Sequence, residues 1–356
     1  MQFLMAGGGT GGHVIPLIAV AQELRERGHE VVFVGTENGI EARLVPAAGF
    51  PIEYISIGGL KSVGTMQKLI SLRQLMRGTG QQTRRMRTKR PAAVFSMGGY
   101  VAGPPVLAAL MRRIPLVVME PNAVPGFTNR RIAPFVSRAL IGFEAASRYF
   151  PRGKTEVTGV PVREAFFHLA PKPKQDVFSV LITGGSQGSR TLNEAARTSW
   201  PLFQQSGLPV RFLHQTGSAS FNAIERDFAR SGCAGEVTAF INDMPAAFEA
   251  ADLIVCRSGA GAVAELAAAG KPSILIPFPF AADQHQLRNA EAFEKAGAAR
   301  LVLDREWTGE KLFEIASALA KQPETLENMG KAARNLARPG AAQRAAQVLE
   351  EVARGE

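Results

Sequence analysis

Residues 3–27 read FLMAGGGTGGHVIPLIAVAQELRER, which is a short apolar run, a glycine-rich turn and an apolar segment of helical length. A glycine turn that leads into a helix exposes backbone N–H groups and the positive end of the helix dipole to a phosphate. Its glycines also fit the G-x-G-x-x-G spacing of dinucleotide-binding dehydrogenases. However, the second apolar run ends Val34-Gly35-Thr36 without an acidic residue to hold a ribose, and His13 follows the glycines directly. We therefore interpret the segment as a phosphate-type loop with a catalytic or substrate-binding histidine at its mouth.

The same alternation of strand, turn and helix continues along the whole chain. The predicted strands of the first half are 3–6, 31–34, 92–95, 116–119 and 139–141. Those of the second half are 178–182, 210–213, 236–239, 253–256 and 273–276. Short apolar runs between amphipathic helices are typical of parallel sheets that helices cover on both faces. The sequence thus predicts an α/β protein with two Rossmann-like, doubly wound domains, divided within the proline-rich stretch 160–174.

Positive charge is concentrated in the first half of the chain. Residues 1–160 hold 20 Lys and Arg against 9 Asp and Glu, whereas residues 161–356 hold 21 against 22. Within the first half, residues 61–90 contain nine basic residues and no acidic one. A cationic surface of this kind attracts nucleic acid, anionic lipid or a pyrophosphate-bearing substrate.

Length, cysteine content and hydropathy narrow the class of protein. The 356 residues are too many for one ordinary core. Cys233 and Cys256 are the only cysteines and lie far apart, so we expect a reducing compartment and neither a disulfide framework nor a paired metal-ligand spacing. The uncharged segment 91–111 is long enough to cross a bilayer, but Gly98-Gly99 and Pro104-Pro105 interrupt it. We predict instead a strand, a glycine loop and a buried helix there.

Three further clusters place glycines or polar groups directly after predicted strands. They are TGGSQGSR at 183–190, CRSGAGAVAE at 256–265 and PFPFAADQHQ at 277–286. Ligands of open parallel sheets bind at the carboxyl ends of the strands. The second glycine loop predicts a second anion site. An enzyme that handles a nucleotide diphosphate and another phosphate-bearing substrate needs two such sites. Glu265 lies one to two turns inside a predicted helix, where its carboxylate either accepts both hydroxyls of a ribose or is an ordinary surface glutamate.

One absence bears on the chemistry. The chain contains no D-x-D sequence, and its first aspartate is Asp176. Sugar transferases that hold the donor diphosphate through a divalent metal need such a carboxylate pair. We therefore expect no metal, and a leaving pyrophosphate that is neutralised by helix N-termini, by Ser186 and by Arg163.

Taken together, these segments resemble glycosyltransferase family 28, and within it the bacterial enzymes that add N-acetylglucosamine to a lipid-linked muramyl acceptor. The similarity spans nearly the whole chain, and its segments follow the family order. They are GGTGGHVIP (8–16), SMGGYVAGP (96–104), EPNAVPGFTN (120–129), GVPVR (159–163), GGSQGS (184–189), RSGAGAVAE (257–265) and DQHQLRNA (283–290).

The resemblance implies the GT-B fold, in which two Rossmann-like domains face each other across a cleft. Residues 1–160 would form the acceptor and membrane side, with the closing helix 340–356 packed back on it, and residues 161–339 the donor side. The implied reaction is an inverting, metal-independent transfer from UDP-N-acetylglucosamine to the 4-hydroxyl of undecaprenyl-pyrophosphoryl-N-acetylmuramyl-pentapeptide (lipid I). It would need no cofactor and would serve peptidoglycan synthesis at the cytoplasmic face of the inner membrane, where the basic first domain would dock as a peripheral protein.

The resemblance also implies residue roles, by position. Donor contacts would come from Thr10, Gly11, Gly12, Asn122, Arg163 and Ser186. The backbone of Ile241 would face the uracil, and Gln286, or alternatively Gln284, would bind the sugar hydroxyls. The diphosphate and ribose would lie against Ala260, Gly261, Ala262, Val263, Ala264 and Glu265. His13 and Glu120 are both candidates for the base, and the sequence does not decide between them.

Two other classes compete with this interpretation. UDP-N-acetylglucosamine 2-epimerases also build two Rossmann domains around the same nucleotide sugar, although they have no need of a basic half or a lipid acceptor. A nucleic-acid-binding protein would explain the basic run 84–90 but leaves both glycine loops unexplained. We therefore expect a transferase that binds no nucleic acid.

Overall fold

The computed structural model describes residues 1–9, 11–58, 65–170, 172 and 176–356. The chain divides into two compact units, of which the first combines Met1–Val162 with Arg338–Glu356 and the second is Arg163–Ala337. The second unit is therefore an insertion in the first, and the chain crosses between them twice.

The first unit is built on a sheet of seven parallel strands. These are β1 (Gln2–Ala6), β2 (Glu30–Gly35), β3 (Ile52–Tyr54), β4 (Ala93–Ser96), β5 (Leu116–Glu120), β6 (Arg138–Ile141) and β7 (Thr155–Val157). Their spatial order is β3-β2-β1-β4-β5-β6-β7. The helices in this part of the chain are α1 (Gly11–Glu26), α2 (Glu41–Ala47), α3 (Thr65–Thr88), α4 (Gly103–Met111) and α5 (Phe127–Ile132). Buried side chains form a core on each face of the sheet, as a parallel sheet covered on both faces requires.

The second unit repeats this architecture with six parallel strands. They are β8 (Phe178–Thr183), β9 (Val210–Gln215), β10 (Ala234–Thr238), β11 (Leu253–Cys256), β12 (Ser273–Leu275) and β13 (Ala299–Leu301), in the spatial order β10-β9-β8-β11-β12-β13. The helices are α6 (Arg190–Ser206), α7 (Phe221–Ser231), α8 (Met244–Ala250), α9 (Ala260–Ala269), α10 (His285–Lys295), α11 (Gly309–Ala320) and α12 (Pro323–Asn335). Its core surrounds Trp200, which is 1% exposed.

The closing helix, α13 (Ala341–Arg354), belongs to the first unit. Its apolar side chains join the core that contains Phe3 and Leu17, and they are Ala345, Ala346, Val348, Leu349 and Val352. Arg344 adds an ion pair to Glu156 on the edge strand β7, with Nε and Oε1 2.6 Å apart. Both the apolar stripe and the ion pair attach α13 to the sheet formed by residues of the first half.

The predicted fold class, α/β with two Rossmann-like parallel-sheet domains, is confirmed. All ten strands expected from the apolar runs are present, within a few residues of the predicted bounds. The segment 91–111 contains β4, a loop and α4, as predicted. Among the residues that the structure describes, no helix combines the length and the apolar character that a membrane crossing requires.

Candidate active site

Both sheets have the strand order that creates a ligand crevice. In each, the order reverses beside the first strand of the unit, between β1 and β4 in the first and between β8 and β11 in the second. Ligands of doubly wound folds bind at this point, outside the carboxyl ends of the strands. The four segments that follow these strands are the two glycine loops, the Met97–Gly99 loop and the start of α9, so most of the sequence-predicted residues lie at the two crevices.

His13 lies in the first turn of α1, just after β1 and the first glycine loop. Its Nδ1 is 3.4 Å from the carbonyl oxygen of Gly8, and we assign the proton to Nδ1, which leaves Nε2 with a lone pair. Gly99 lies beside the ring, since a Cβ there would be 3.6 Å from Nδ1. Gly11 and Gly12 precede His13 in the same turn, so all three lie at the positive end of the helix dipole.

Glu120 ends β5, is 1% exposed and uses both carboxylate oxygens inside the protein. Oε1 accepts hydrogen bonds from the backbone N and from Nδ2 of Asn122, both at 2.9 Å. Oε2 accepts from Nδ2 of Asn129 at 2.9 Å and from the backbone N of Gly126 at 3.1 Å. Burial raises the pKa of Glu120, with these four donors acting in the opposite direction. The carboxylate therefore folds the loop 121–126 onto the end of β5 and orients Asn122.

Glu41, which the sequence did not single out, holds the first glycine loop. Its Oε2 accepts from the backbone N of Gly9 at 2.9 Å, and its Oε1 accepts from the N and Oγ1 of Thr36 at 2.9 and 2.7 Å. Burial acts to raise the pKa of Glu41, but the hydrogen bonds from Gly9 and Thr36 outweigh it and the pKa is lowered. Glu41 thus links the loop before His13 to the end of β2. In the sequence it is only an acidic residue at the start of a short helix.

In the second unit, Ser186 is exposed in the second glycine loop, directly before α6. Ser189 caps α6, because its Oγ accepts from the backbone N of Leu192 at 3.4 Å. Arg257, which follows β11, donates to the same Oγ at 2.7 Å. Arg257 therefore connects the end of the second glycine loop to the segment between β11 and α9.

The start of α9 is open in this unit. Gly259 caps it without a side-chain hydrogen bond, and a Cβ on Gly259 or Gly261 would meet no atom within 4 Å. The unpaired N–H groups of a first helical turn attract an anion, and here small residues leave room for one. The predicted segment 260–265 forms the first one and a half turns of this helix.

Glu265 and Arg163 form a pair, with Oε1 and an arginine nitrogen 3.4 Å apart. Arg163 also lies over the ring of Phe166, 4.8 Å from its centroid. Burial raises the pKa of Glu265 to about 7, while the charge of Arg163 acts to lower it. The structure thus brings together the two residues that the sequence assigned to the ribose and to the pyrophosphate.

The loop before α10 places Gln284 and Gln286 differently. Gln284 is exposed and has a left-handed φ of 53°, next to Asp283 at 51°. Left-handed backbone at two successive non-glycine residues is strained, a feature that often marks functional loops. The Oε1 of Gln286 accepts from the backbone N of Phe278 at 2.9 Å, which fixes the orientation of its side-chain amide.

Ile241 follows β10, and its backbone N donates to Oε1 of Gln215 at 2.8 Å. Gln215 was also missed by sequence reasoning, since nothing local distinguishes a glutamine at the end of a strand. Thr10 lies outside the described residues. Among those described, no group of three or more His, Cys, Asp or Glu side chains is arranged to hold a metal ion.

Two family models match the chain. The glycosyltransferase family 28 N-terminal domain matches residues 3–141, and the glycosyltransferase family 28 C-terminal domain matches residues 179–348. The chain belongs to glycosyltransferase family 28. It is 65% identical over 353 residues to the UDP-N-acetylglucosamine--N-acetylmuramyl-(pentapeptide) pyrophosphoryl-undecaprenol N-acetylglucosamine transferase of Solibacter usitatus (strain Ellin6076), covering 99% of this chain and 96% of the relative.

Solved structures agree with this membership of family 28. MurG of Acinetobacter baumannii superimposes with a TM-score of 0.83 at 32% identity, over 98% of this chain and 99% of that one. The UDP-GlcNAc 2-epimerase of Neisseria meningitidis, solved with UDP-GlcNAc bound, superimposes with a TM-score of 0.68 at 16% identity, over 99% and 100% of the chains. At 16% identity, the similarity to this epimerase shows only that the two chains share a fold. The predicted GT-B class and the resemblance to family 28 are confirmed, and the epimerase is only a distant neighbour.

Proposed function

We propose that the chain transfers N-acetylglucosamine from UDP-N-acetylglucosamine to the 4-hydroxyl of undecaprenyl-pyrophosphoryl-N-acetylmuramyl-pentapeptide, with inversion at the anomeric carbon. The main support is the 65% identity to a transferase with this donor and acceptor in its name, over 99% of this chain. The second unit supplies what a nucleotide-sugar donor needs. Helices α6 and α9 begin after the adjacent strands β8 and β11, so two helix N-termini converge on one crevice.

The donor diphosphate binds against these two N-termini. Their partial positive charges stabilise the UDP that leaves when the bond between the anomeric carbon and the diphosphate oxygen breaks. Ser186 and Arg163 add donors, and Glu265 accepts the ribose hydroxyls. This division assigns the nucleotide of the donor to the second unit and the acceptor to the first.

His13 takes the proton of the acceptor hydroxyl. In one step, the acceptor oxygen attacks the anomeric carbon, its proton moves to Nε2 of His13, and UDP departs with the bonding electrons. The hydrogen bond from Nδ1 to Gly8 favours this role, because it keeps the lone pair on Nε2. Glu120 is a weaker candidate for the base, since each of its oxygens already accepts two N–H donors.

We further propose that the first unit docks peripherally on the anionic cytoplasmic face of the inner membrane, through α3 and α4. These helices pack closely, since a Cβ on Gly103 of α4 would be 3.3 Å from Leu75 of α3. The apolar side chains of Met76 on α3 and Met111 on α4 are each 68% exposed. Leu72 and Leu107 precede them by four residues and are also exposed, so each helix presents a pair of apolar side chains on one side. Exposed apolar side chains within a cationic surface suit an interfacial segment.

Not all of the apolar side chains in the basic segment 61–90 face outward. Met86 is 1% exposed and belongs to the core of the first unit, whereas Ile70 is exposed on α3. The side chain of Leu69 and residues 61–64 lie outside the described part of the chain. The docking surface therefore consists of the exposed side chains of α3 from Ile70 onward, which include Arg77, Arg84 and Arg87, and of the exposed side of α4.

A transfer assay with defined substrates tests the proposed function. Labelled UDP-N-acetylglucosamine is incubated with a short-chain lipid acceptor, and the product is identified by mass spectrometry and by the anomeric coupling in its NMR spectrum. We expect UDP release that depends on the acceptor and a β-linked disaccharide product. Release without the acceptor, together with conversion of the donor to its 2-epimer, would instead support the epimerase interpretation.

A further inference from the structure

Gln215 is a buried residue between two segments of the proposed donor site, although none of the assigned contacts includes it. It ends β9, which lies between β8 and β10 in the sheet, and it is 1% exposed. Thr183 of β8 and Thr238 of β10 are its register partners. The loops that follow β8 and β10 are the second glycine loop and the Ile241 segment, so the end of β9 separates the two.

The side-chain amide of Gln215 bonds to both loops. Nε2 donates to the carbonyl oxygen of Gly185 at 2.8 Å and to Oγ1 of Thr183 at 3.1 Å. Oε1 accepts from the backbone N of Ile241 at 2.8 Å. The two ends of one amide thus have fixed and opposite roles, a donor towards the glycine loop and an acceptor towards Ile241. Few side chains can supply both: a carboxylate lacks the donor, and an apolar side chain lacks both groups.

The surrounding backbone leaves little freedom for either loop to move alone. A Cβ on Gly188 would overlap the carbonyl oxygen of Thr216, and one on Gly217 would overlap that of Gln187, so the glycine loop packs directly on the residues after Gln215. Gly217 in turn donates its backbone N–H to Ala239, just before the Ile241 segment. A change at Gln215 is therefore transmitted to both loops.

We propose that Gln215 is a positioning residue that couples the nucleobase end of the donor site to its diphosphate end. The inference rests on the proposed donor site, in which the Ile241 backbone faces the base and the glycine loop faces the diphosphate. Gln215 touches neither part of the ligand. It sets the distance between the two loops, so that a uracil nucleoside diphosphate meets both in one bound position. Its effect is therefore larger for a ligand that spans both ends than for one that occupies a single end.

Two variants separate the two halves of the amide. Gln215→Glu keeps an acceptor for Ile241 and loses the donor to Gly185, whereas Gln215→Met loses both. Dissociation constants are measured by titration calorimetry for UDP and by displacement of UDP for uridine. For Gln215→Glu we expect UDP to bind about tenfold more weakly, as the loss of one to two hydrogen bonds predicts, and uridine to change less than about twofold. For Gln215→Met we expect both to weaken, with UDP losing more than uridine.

Steady-state kinetics and thermal unfolding distinguish positioning from a general loss of structure. We expect the donor KM to rise in both variants, while kcat at saturating donor and the acceptor KM stay within about twofold of the unsubstituted protein. Gln204→Met, on the exposed side of α6, is the matched control and should change none of these values. Equal weakening of UDP and uridine in both variants, or no weakening of UDP, would overturn the inference. Failure of the unsubstituted protein to bind UDP would instead overturn the proposed function.

Discussion

The arrangement around Glu120 makes Glu120→Gln a decisive substitution for the identity of the base. A glutamine amide has one oxygen and one NH2 group, so one of the two donor pairs, from Asn122 or from Asn129 and Gly126, would face an NH2 group. Two hydrogen bonds to a charged group are lost, each contributing about 1.5–3 kcal/mol. The neutral amide does not incur the desolvation cost that raises the pKa of Glu120. We therefore take the lower end of the range for each hydrogen bond, which gives a loss of about 3 kcal/mol for the two together. For a unit of this size that corresponds to a fall in Tm of roughly 6–12 °C.

Thermal unfolding by circular dichroism and turnover well below Tm measure the two effects separately. We expect Glu120→Gln to lower Tm by this amount and to keep kcat within about tenfold, whereas His13→Ala should keep Tm and lower kcat by about 10²–10⁴-fold. Glu53→Gln is the matched control for the loss of a buried carboxylate away from the site. Glu53 belongs to the same unit, lies on β3 and pairs with Arg85. A Glu120→Gln protein with unchanged Tm and a kcat reduced at least about 10²-fold would refute this reasoning and make Glu120 the base.

Four further outcomes are expected. Because burial raises the pKa of Glu265 to about 7, its carboxylate is protonated below that pH and ionised above it. Donor affinity should therefore increase as the pH rises through about 7, and titration calorimetry should find no such dependence in Glu265→Gln. Glu41→Ala leaves the N–H groups of Gly9 and Thr36 without their acceptor, so kcat should fall while the Kd for UDP stays unchanged. Excess EDTA should leave turnover within about tenfold in the transfer assay, since helix N-termini rather than a metal stabilise the leaving group. Reversal of Arg77, Arg84 and Arg87 to glutamate should abolish sedimentation with phosphatidylglycerol vesicles and spare turnover of a soluble acceptor; retained sedimentation would place the docking surface elsewhere.

The strands that the sequence predicted differ from those it missed in their side-chain pattern. Most of the ten predicted strands are apolar runs that are buried on both faces, as in β5, where all five residues are buried. Strand β10, which contains Glu236 and lies at a sheet edge, differs from the others, and it was found because the predicted run 236–239 also contains Val237 and Ala239. The missed strands β3, β7 and β13 have three residues each, include Glu53, Glu156 and Arg300, and lie at the edges of the sheets. An edge strand needs only one neighbour and tolerates charge, so hydropathy alone does not identify it.

The candidate site could be predicted from sequence only where a local motif carries the function. Glycine loops expose backbone N–H groups through their own conformation, and these were found at 7–12 and 184–188. Glu41 and Gln215 act through backbone groups that are distant in sequence, 32 residues in the contact of Glu41 with Gly9 and 30 in that of Gln215 with Gly185. Their roles depend on the strand order, which the sequence does not specify. The four hydrogen bonds at Glu120 are local, but they appear only once the loop 121–126 has folded back.

The place of α13 in the first unit has a consequence for how the protein is made. Helix α13 contributes Leu349 and Val352 to the core that begins with Phe3 on β1, so this core stays open until α13 has left the ribosome. The second unit, residues 163–337, has by then been synthesised completely. During translation at roughly 5–20 residues per second, the half of the molecule that is made first is therefore the last to become compact. A nascent chain at that stage exposes apolar surface for chaperones to cover, and loss of α13 would damage the unit whose sequence was translated first.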